Sequence, residues 1–379
     1  MNNTPINESD QRVYTEEKTD RKCPQCGSVI SYDEGKHRLF CPSCGYEHQL
    51  SQVKGNEIEE LDFDKAVHMA STDWGTKQIT VQCQSCGAKT VYDALVVSSV
   101  CPYCGSNQVM QNNDETAMAP FGICPFEVSE ENAGGIFKKW IKKRYFAPFG
   151  FSKKAKANKL DSIYLPWWTY DSDTVSEFDA NAGEDYTVSV PVTVSDGKGH
   201  THTEMRTETR TRWYPVNGVY SEFIDDLPVN ASKRMDDNML SKILPFNFQM
   251  LQKYDPQLLA GIGAERYSIG LQEGWEKAKI LIHDILNNSI KKYILRKWNA
   301  DHVARLNFTT AFSKVKFRYV LLPLWISSYM YKGKTYQYMI NGQTGKSYGK
   351  APVSPIKIIG LIAIIAAIVI GLYFLFRNM

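Results

Sequence analysis

The stretch Cys-Pro-Gln-Cys at residues 23–26 decides how the N-terminal part of this chain folds, because a related pair, Cys-Pro-Ser-Cys, follows at 41–44. The same pattern returns 60 residues later as Cys-Gln-Ser-Cys at 83–86 and Cys-Pro-Tyr-Cys at 101–104. A Cys-x-x-Cys turn brings two sulfurs to one ion, so two such turns complete a tetrahedral site. The spacing predicts two metal sites, one with ligands Cys23, Cys26, Cys41 and Cys44, the other with ligands Cys83, Cys86, Cys101 and Cys104.

The ligand set indicates structural zinc. Four thiolates leave no open coordination position, so neither site is expected to be catalytic. Each pair is followed by glycine, which tolerates the positive φ that turns backbone amides toward the sulfurs. We therefore expect two tandem zinc ribbons holding two Zn²⁺ ions. A rubredoxin-like iron site uses similar turns, and disulfides are a further alternative. The repeated spacing and the absence of an N-terminal signal sequence favour metal in a reducing compartment.

The other end of the chain has the composition of a membrane span. Residues 358–376 are 19 consecutive uncharged and almost wholly apolar residues, about 28 Å of helix. We predict a transmembrane helix over 356–376 and a tail-anchored protein; a buried helix of a soluble core is the alternative. Lys346, Lys350 and Lys357 precede the span, which places the N-terminal bulk in the cytoplasm.

The region between these ends is long enough for a domain of its own. The 379 residues are 43% hydrophobic with a formal net charge of +3, a balance that does not by itself indicate a nucleic-acid-binding protein. A helix is expected after Ser129, with Ala133, Ile136, Phe137, Trp140 and Ile141 as its apolar stripe. The basic run from Lys138 to Lys159 contains no acid. It is explained by a solvated face, by attraction to anionic lipid, or by nucleic acid.

Strand patterns dominate the rest of this region. Segments 164–170, 186–194, 201–214 and 335–340 predict strands, and strands are expected to return at Phe317. Helices are predicted over 62–71 and 263–298. Leu-Pro-Trp-Trp at 165–168 is echoed by Leu-Pro-Leu-Trp at 322–325, which predicts two related β halves.

The fold class is therefore α+β, with two zinc ribbons, a larger domain of antiparallel β meanders with helices, and a C-terminal transmembrane helix. The predicted organisation is a disordered tail at 1–20, ribbon 1 at 21–50, a linker with a short helix at 51–80, ribbon 2 at 81–110, the α+β domain at 111–352 and the membrane helix at 356–376.

No catalytic motif is apparent. Asn-Gly-Gln-Thr-Gly-Lys at 341–346 resembles a phosphate-binding loop but lacks the glycine that the motif needs at position 340, so a hairpin turn is expected. Cys124, outside both cysteine sets, lies among Phe121, Ile123 and Phe126 and is predicted to be a buried thiol. We expect a protein that is not an enzyme.

The combined motifs resemble a bacterial family of membrane-anchored, transcription factor IIB-type zinc-ribbon proteins. The paired Cys-x-x-Cys-Gly segments, residues 165–168, Tyr267 in Ala-Glu-Arg-Tyr, and residues 341–346 carry the resemblance, which covers residues 22–355. The family is also likened to the zinc-binding part of the primosomal replication helicase, but no helicase motor motif is present here. Some relatives are encoded beside phage-shock protein A and an SPFH-domain protein.

The resemblance implies a membrane anchor that recruits such peripheral proteins during envelope stress. The sequence therefore leads to the hypothesis of a cytoplasmic zinc-ribbon adapter held at the membrane by residues 356–376. The alternative hypothesis is a membrane-tethered nucleic-acid-binding protein.

Overall fold

A computed structural model describes the chain over residues 22–33, 35–50, 58, 60–65, 78–84, 89–93, 101–103, 109–112, 118–151, 160–195, 201–331 and 334–377. Within these ranges the protein is α+β, with a small three-stranded sheet near the N-terminus, a large mixed sheet and a C-terminal apolar helix. The sequence-based α+β class is confirmed at this level. The predicted tail at 1–20 lies outside the described residues.

The elements follow one another in chain order. The strands are β1 Ser31–Asp33, β2 Arg38–Phe40, β3 Glu47–Gln49, β4 Leu61–Asp62, β5 Gln78–Cys83, β6 Lys89–Asp93, β7 Val109–Asn112, β8 Gly122–Ile123, β9 Asp161–Ser195, β10 Thr201–Asn230, β11 Gln252–Lys253, β12 Gly263–Glu265, β13 His302–Tyr331, β14 Lys334–Asn341 and β15 Ser347–Gly349. The α-helices are α1 Glu130–Lys142, α2 Asp237–Ser241, α3 Leu271–Lys297 and α4 Pro355–Arg377, and short 3-10 turns cover Phe248–Met250 and Pro256–Leu259.

The large sheet is built around an antiparallel pair of strands, β9 and β13. Each of these two strands also pairs with one parallel strand and with one antiparallel strand that follows it in the chain. β12 lies parallel to β9 with Gly263 opposite Ile163, and β8 lies parallel to β13 with Gly122 opposite Val320. β10 then returns antiparallel along β9, as β14 does along β13. The two Leu-Pro segments of the sequence meet in the middle, where Leu165 is opposite Leu322. The prediction of two related β halves is therefore confirmed in the strand pairing.

The two halves also share side-chain roles. Trp168 Nε1 donates to the Ile269 carbonyl at 2.8 Å, and Trp325 Nε1 donates to the Val128 carbonyl at 2.8 Å. Each carbonyl lies two residues before the first residue of a helix, α3 in one half and α1 in the other. Both indoles are fully buried, so each bond fixes the start of a helix against the centre of the sheet.

The return strands end on equivalent asparagines. Asn230 lies opposite Trp167, and Asn341 lies opposite Leu324. The Oδ1 of Asn230 accepts from Ser232 N at 2.9 Å, and the Oδ1 of Asn341 accepts from Gln343 N at 2.9 Å. In each case the asparagine side chain accepts a hydrogen bond from the backbone N–H two residues later, and this turn directs the chain out of the sheet.

Alternation along β9 and β13 divides the core into two parts. The even-numbered residues Tyr164 and Trp168 belong to a core that includes residues of α1 and α3. The odd-numbered residues Ile163, Leu165 and Trp167 belong to a second core that includes Met239 and Leu240 of α2. Two apolar layers therefore enclose the sheet.

Helix α1 confirms its sequence pattern. Ser129 caps it by accepting from Asn132 N, Glu130 and Glu131 occupy the first turn, and four of the five predicted stripe residues are buried: Ala133, Phe137, Trp140 and Ile141. The caps and the dipole both favour this start.

Three boundary predictions are wrong. The helix predicted over 263–298 begins at Leu271, because residues 263–265 instead pair as β12 with β9 and β6. Strand β13 begins at His302 rather than Phe317, because its polar first half pairs with β9. A helix was predicted over 62–71, but Asp62 belongs to β4, which pairs with Lys316 and Phe317, and residues 63–65 form a turn. Residues 66–71 lie outside the described residues. In each case tertiary pairing overrides local preference.

Helix α4 is long and apolar enough to cross a membrane. Its 23 residues rise about 34 Å, against a hydrocarbon thickness of about 30 Å. None of its most apolar window is buried against the rest of the described chain, so a core helix of a soluble domain does not explain it.

Candidate metal centre

The first four predicted ligands lie together. The sulfurs of Cys23, Cys26, Cys41 and Cys44 are all within 4.8 Å of one another, with 3.4 Å between Cys23 and Cys44 and 3.5 Å between Cys26 and Cys41. A tetrahedron with metal–sulfur bonds of about 2.3 Å has edges of about 3.8 Å. The four side chains are therefore close enough to hold one metal ion.

The two turns of this site have the same backbone geometry. Gly27 and Gly45 have φ of +72° and +77°, and each donates its N–H to the carbonyl of the first cysteine of its turn at 2.8 and 2.9 Å. The glycines are required here because a side chain is strained at these φ values. The sequence-based reason for the repeated glycine is confirmed at both positions.

Hydrogen bonds lower the pKa of one cysteine thiol in this site, whereas desolvation and neighbouring thiols raise the pKa of another. Hydrogen bonds from the Ser28 hydroxyl and backbone N–H lower the pKa of Cys26 to about 6. At Cys44 the backbone N–H of Tyr46 lowers the pKa, but burial and the thiols of Cys23, Cys26 and Cys41 outweigh it and raise the pKa to about 12. Four crowded sulfurs cannot all ionise without a cation between them, so this donor set suits a metal rather than four free thiols.

The first cysteine module (residues 22–50) packs on the core that contains α1 and α3. Tyr32 N donates to the Ala260 carbonyl at 2.9 Å, and its ring is buried with Leu39 in that core. His37 Nε2 lies 2.8 Å from Glu127 Oε1, and its Nδ1 lies 3.0 Å from the Tyr32 hydroxyl. The module is thus fixed beside the start of α1.

The second cysteine module (residues 78–112) packs on the opposite core and joins the large sheet. Cys83, Cys101 and Tyr103 are buried in the core that contains α2, and β6 pairs with β12. Cys86 and Cys104 lie outside the described residues. The 60-residue repeat extends to the backbone, because Lys22 bridges Val29 in the first module and Gln82 pairs with Lys89 in the second.

A buried carboxylate holds the second module in place, and the sequence analysis assigned it no role. Glu265 is fully buried; its Oε2 accepts from the Tyr103 hydroxyl at 2.6 Å and its Oε1 from the Ser232 hydroxyl at 2.7 Å. Burial raises the pKa of Glu265 to about 6, while these bonds and the nearby charge of Arg234 oppose the rise. The Tyr103 carbonyl also accepts from Gln337 at 2.9 Å. Its place in the Ala-Glu-Arg-Tyr stretch at 264–267 was the one sequence signal, but that segment was predicted to be helical.

The comparisons with known proteins give a relative and no family. The chain is 28% identical over 338 residues to an uncharacterized protein, YdjG, of Bacillus subtilis strain 168; the match spans 89% of this chain and 91% of the relative. No family model matches, and no solved structure matches. The likeness over nearly the whole length indicates that the relative shares this architecture but gives no activity.

Two further sequence predictions are confirmed. Cys124 is buried, and burial keeps the pKa of its thiol well above the usual range. Residues 341–346 form the hairpin turn between β14 and β15: Asn341 Oδ1 accepts from Gln343 N and Thr344 N, the amides that a phosphate loop would leave open.

A second polar cluster joins residue 60 to the large sheet. Asp171 is buried, and its Oδ1 accepts from Asp226 N at 2.5 Å. Burial raises the pKa of Asp171 to about 7. Burial also opposes ionisation of Glu60, but hydrogen bonds from Asp171 and Lys316 and the charge of Arg318 outweigh it and lower the pKa of Glu60. The proton shared by the two carboxyl groups therefore stays on Asp171, and Arg318 pairs with Asp226.

This cluster predicts a pH dependence of stability. The pKa of Asp171 is raised on folding, so the free energy of unfolding falls as pH rises from about 4, the usual pKa of an aspartate, to about 7, the pKa in the folded state. Asp171→Asn mimics the protonated group and should reduce the loss of stability between about pH 5 and pH 8 by about 2 kcal/mol. The change in the free energy of unfolding between the two pH values is measured by denaturant unfolding of the full chain in detergent. Asp179→Asn, on an exposed position of the same strand, is the control. Equal pH dependence in all three proteins contradicts the assignment.

Proposed function

We propose that this chain is a membrane-anchored cytoplasmic adapter whose two cysteine modules are zinc ribbons and whose body recruits protein partners to the inner face of the membrane. The single observation that carries the proposal is the exposed apolar helix α4 at the end of a body that holds a closed four-sulfur site. Such a site supports structure rather than turnover. Reduced thiols and the preceding Lys346 and Lys350 favour the cytoplasmic side.

Zinc is the metal that suits the four-sulfur donor set best, and iron is the alternative. When bound, the ion supplies folding free energy to modules too small to stabilise themselves. Cys23, Cys26, Cys41 and Cys44 hold one ion in this proposal, and Cys83, Cys86, Cys101 and Cys104 hold the second. Because both modules pack on the body, the metals also stabilise the surfaces that the body presents.

An open face of the long sheet supports the recruiting role. Helix α3 covers one face of β9 and β10, where Tyr293 contacts Phe178 and Tyr220. The opposite face carries the apolar patch, which is formed by Val175, Val219 and Phe223. Phe223 is 58% exposed. Exposed apolar clusters on a soluble body mark protein interaction sites.

Acidic side chains surround the apolar patch. Glu177 lies opposite Val219 on the same face, and Asp179 is exposed two residues further along the strand. A partner that docks here is expected to combine apolar side chains with a basic rim. By the family resemblance, the partners are of the phage-shock protein A or SPFH-domain kind, and their recruitment belongs to envelope stress.

Recruitment is tested with the patch and the anchor separately. Proteins that co-purify with the full chain from detergent are identified, and their amounts in the membrane fraction are then compared between cells carrying different variants. Phe223→Ser with Val219→Ser, and a chain ending at Ser354, should each reduce the membrane-bound amount of a true partner at least about tenfold, the loss expected when central apolar contacts of an interface are removed. Tyr186→Ser, an exposed aromatic elsewhere on β9, is the matched control. If the amount of every co-purifying protein in the membrane fraction is unchanged, the adapter proposal is contradicted.

A nucleic-acid-binding protein held at the membrane is the second candidate. Exposed basic side chains on α1 and just after it favour it: Lys138, Lys139, Lys142, Lys143 and Arg144. This candidate predicts binding of duplex DNA or RNA by the full chain that weakens steeply with salt. A titration in detergent at low and high salt separates it from the adapter.

A further inference from the structure

Three aromatic side chains are exposed in the aromatic loop, Arg144–Phe151, which follows α1. Tyr145 is 75% exposed, Phe149 is 85% exposed and Phe146 is 43% exposed. The loop itself is ordered by backbone turns, since Ala147 N bonds to the Arg144 carbonyl and Phe151 N to the Pro148 carbonyl. Rings this exposed on an ordered segment point to a surface that covers them.

The aromatic loop is bound to the first turn of α4. Ser354 N donates to the Phe146 carbonyl at 2.7 Å, and Lys357 Nζ donates to the Tyr145 carbonyl at 3.0 Å. The same ammonium lies 4.5 Å from the centre of the Phe149 ring. The uninterrupted apolar run begins one residue later, at Ile358. The loop therefore lies where a membrane-spanning α4 would leave the bilayer, the depth at which aromatic side chains concentrate.

The basic end of α1 is next to this loop. Lys138, Lys139, Lys142 and Lys143 are exposed, and within the described part of the chain none of them pairs with a carboxylate. Trp140, on the buried side of the same helix, packs against Gly349 at the end of β15, from which the chain continues to α4. The unpaired positive charge is thus placed beside the entry to α4 rather than on a remote surface.

We propose that the basic end of α1 and the aromatic loop form a second membrane contact that binds anionic phospholipid headgroups. The proposal rests on the membrane anchoring in the proposed function and adds to it. The aromatic rings enter the headgroup layer while the lysines neutralise lipid phosphates. The contact holds the body in one orientation on the leaflet, so that the patch on β9 and β10 is not free to rotate about a single helix.

Lipid is favoured over nucleic acid by the aromatic loop and by its position. Binding of nucleic-acid phosphates explains the exposed lysines, but it does not explain three exposed aromatic rings beside the N-terminal end of the apolar helix α4. Aromatic side chains can stack on single-stranded bases, but a strand bound here would have to replace the headgroups that surround α4. Nucleic acid is accordingly an outcome of the test and not a second proposal.

Photo-crosslinking tests the aromatic contact in the full chain. The protein is placed in nanodiscs of phosphatidylcholine alone or of an equimolar mixture with phosphatidylglycerol, with benzoylphenylalanine replacing Phe149. The same residue replacing Phe223, also well exposed but on the open sheet face, is the matched control. We expect phospholipid adducts at position 149 at least about tenfold above those at 223, because only the first position is held at the interface.

Charge removal tests the basic contact. Lys138→Gln, Lys139→Gln, Lys142→Gln and Lys143→Gln are combined, and hydrogen exchange of residues 144–151 is measured in both nanodiscs. Each lysine is worth about fivefold in partition to an anionic surface, so protection should fall in the anionic nanodisc and change little in the neutral one. Lys291→Gln with Lys292→Gln, on exposed positions of α3, is the control and should have no effect.

The outcomes separate the contact from the anchor. A chain that enters nanodiscs but gives equal adducts at 149 and 223 overturns the second contact and leaves the anchor standing. A chain that never enters nanodiscs overturns the anchor and this inference with it. If single-stranded DNA or RNA added at low salt before irradiation prevents adduct formation at 149, the surface is assigned to nucleic acid and the inference is likewise overturned.

Discussion

Replacing Cys41 with serine is expected to remove one metal ion from the protein and to unfold residues 22–50. Cys41 is fully buried, and its sulfur is 3.5 Å from that of Cys26. Structural zinc contributes an apparent binding free energy of about 10 kcal/mol or more to small modules of this kind, far more than the module's own core can replace. We expect two ions per chain in the unmodified protein and one in Cys41→Ser, measured by elemental analysis of protein purified without chelator.

Cys124 provides the matched control for this experiment. It is also a fully buried thiol, but it lies outside both sets of predicted ligands. Cys124→Ser should keep both ions, whereas Cys101→Ser should lose the ion of the second module. Hydrogen exchange should increase over residues 22–50 only in Cys41→Ser. A metal content unchanged by Cys41→Ser, or lowered equally by Cys124→Ser, contradicts the assignment of the ligands.

Unfolding of the first module should also destabilise the α+β domain on which it packs. Tyr32 and Leu39 are part of the core that holds α1 and α3, and His37 contacts Glu127 just before α1. Removing the metal is therefore expected to expose apolar surface of that core and to remove the contact between His37 and Glu127. A metal site at residues 23–44 can in this way affect the aromatic loop at residues 144–151 without touching it.

Local signals made part of this architecture predictable. The cysteine spacing, the glycines after each turn and the apolar run at 358–376 each impose a structure by short-range chemistry. Ser129 and the stripe of α1 likewise need no distant partner. Among the described residues, these expectations are confirmed for the first cysteine cluster and its two glycines, for helix α1, and for an apolar helix over Pro355–Arg377.

Pairing between distant segments accounts for what the sequence did not reveal. Ala264 and Glu265 are compatible with a helix, but they pair with Tyr164 and with β6. The first half of β13 carries polar residues such as Asn307 and Thr309, so only its partner β9 makes it a strand. Glu265 became visible as a support for the second module only when Tyr103, 162 residues earlier in the chain, was placed beside it. Such contacts have no local signature.

The tryptophans at the centre of the sheet should give the largest losses of stability in the body. Trp168 and Trp325 are buried, and each indole N–H donates at 2.8 Å to a carbonyl two residues before a helix. Truncation to alanine should cost about 3–5 kcal/mol in the free energy of unfolding, because a large cavity is left in a packed core. Truncation to phenylalanine keeps most of the ring volume but leaves the carbonyl of Ile269 or Val128 without its donor, and should cost about 1–2 kcal/mol.

Trp167 distinguishes the hydrogen bond from the packing. Its side chain is equally buried, but its Nε1 has no hydrogen-bond partner among the described residues. Trp167→Phe therefore removes an unsatisfied donor and should be neutral or slightly stabilising, in contrast to Trp168→Phe and Trp325→Phe. Denaturant unfolding of the full chain in detergent gives the three values. Equal losses for all three substitutions would show that ring volume alone matters. Losses confined to the two hydrogen-bonded tryptophans would show that the halves of this domain use equivalent bonds to fix their helices.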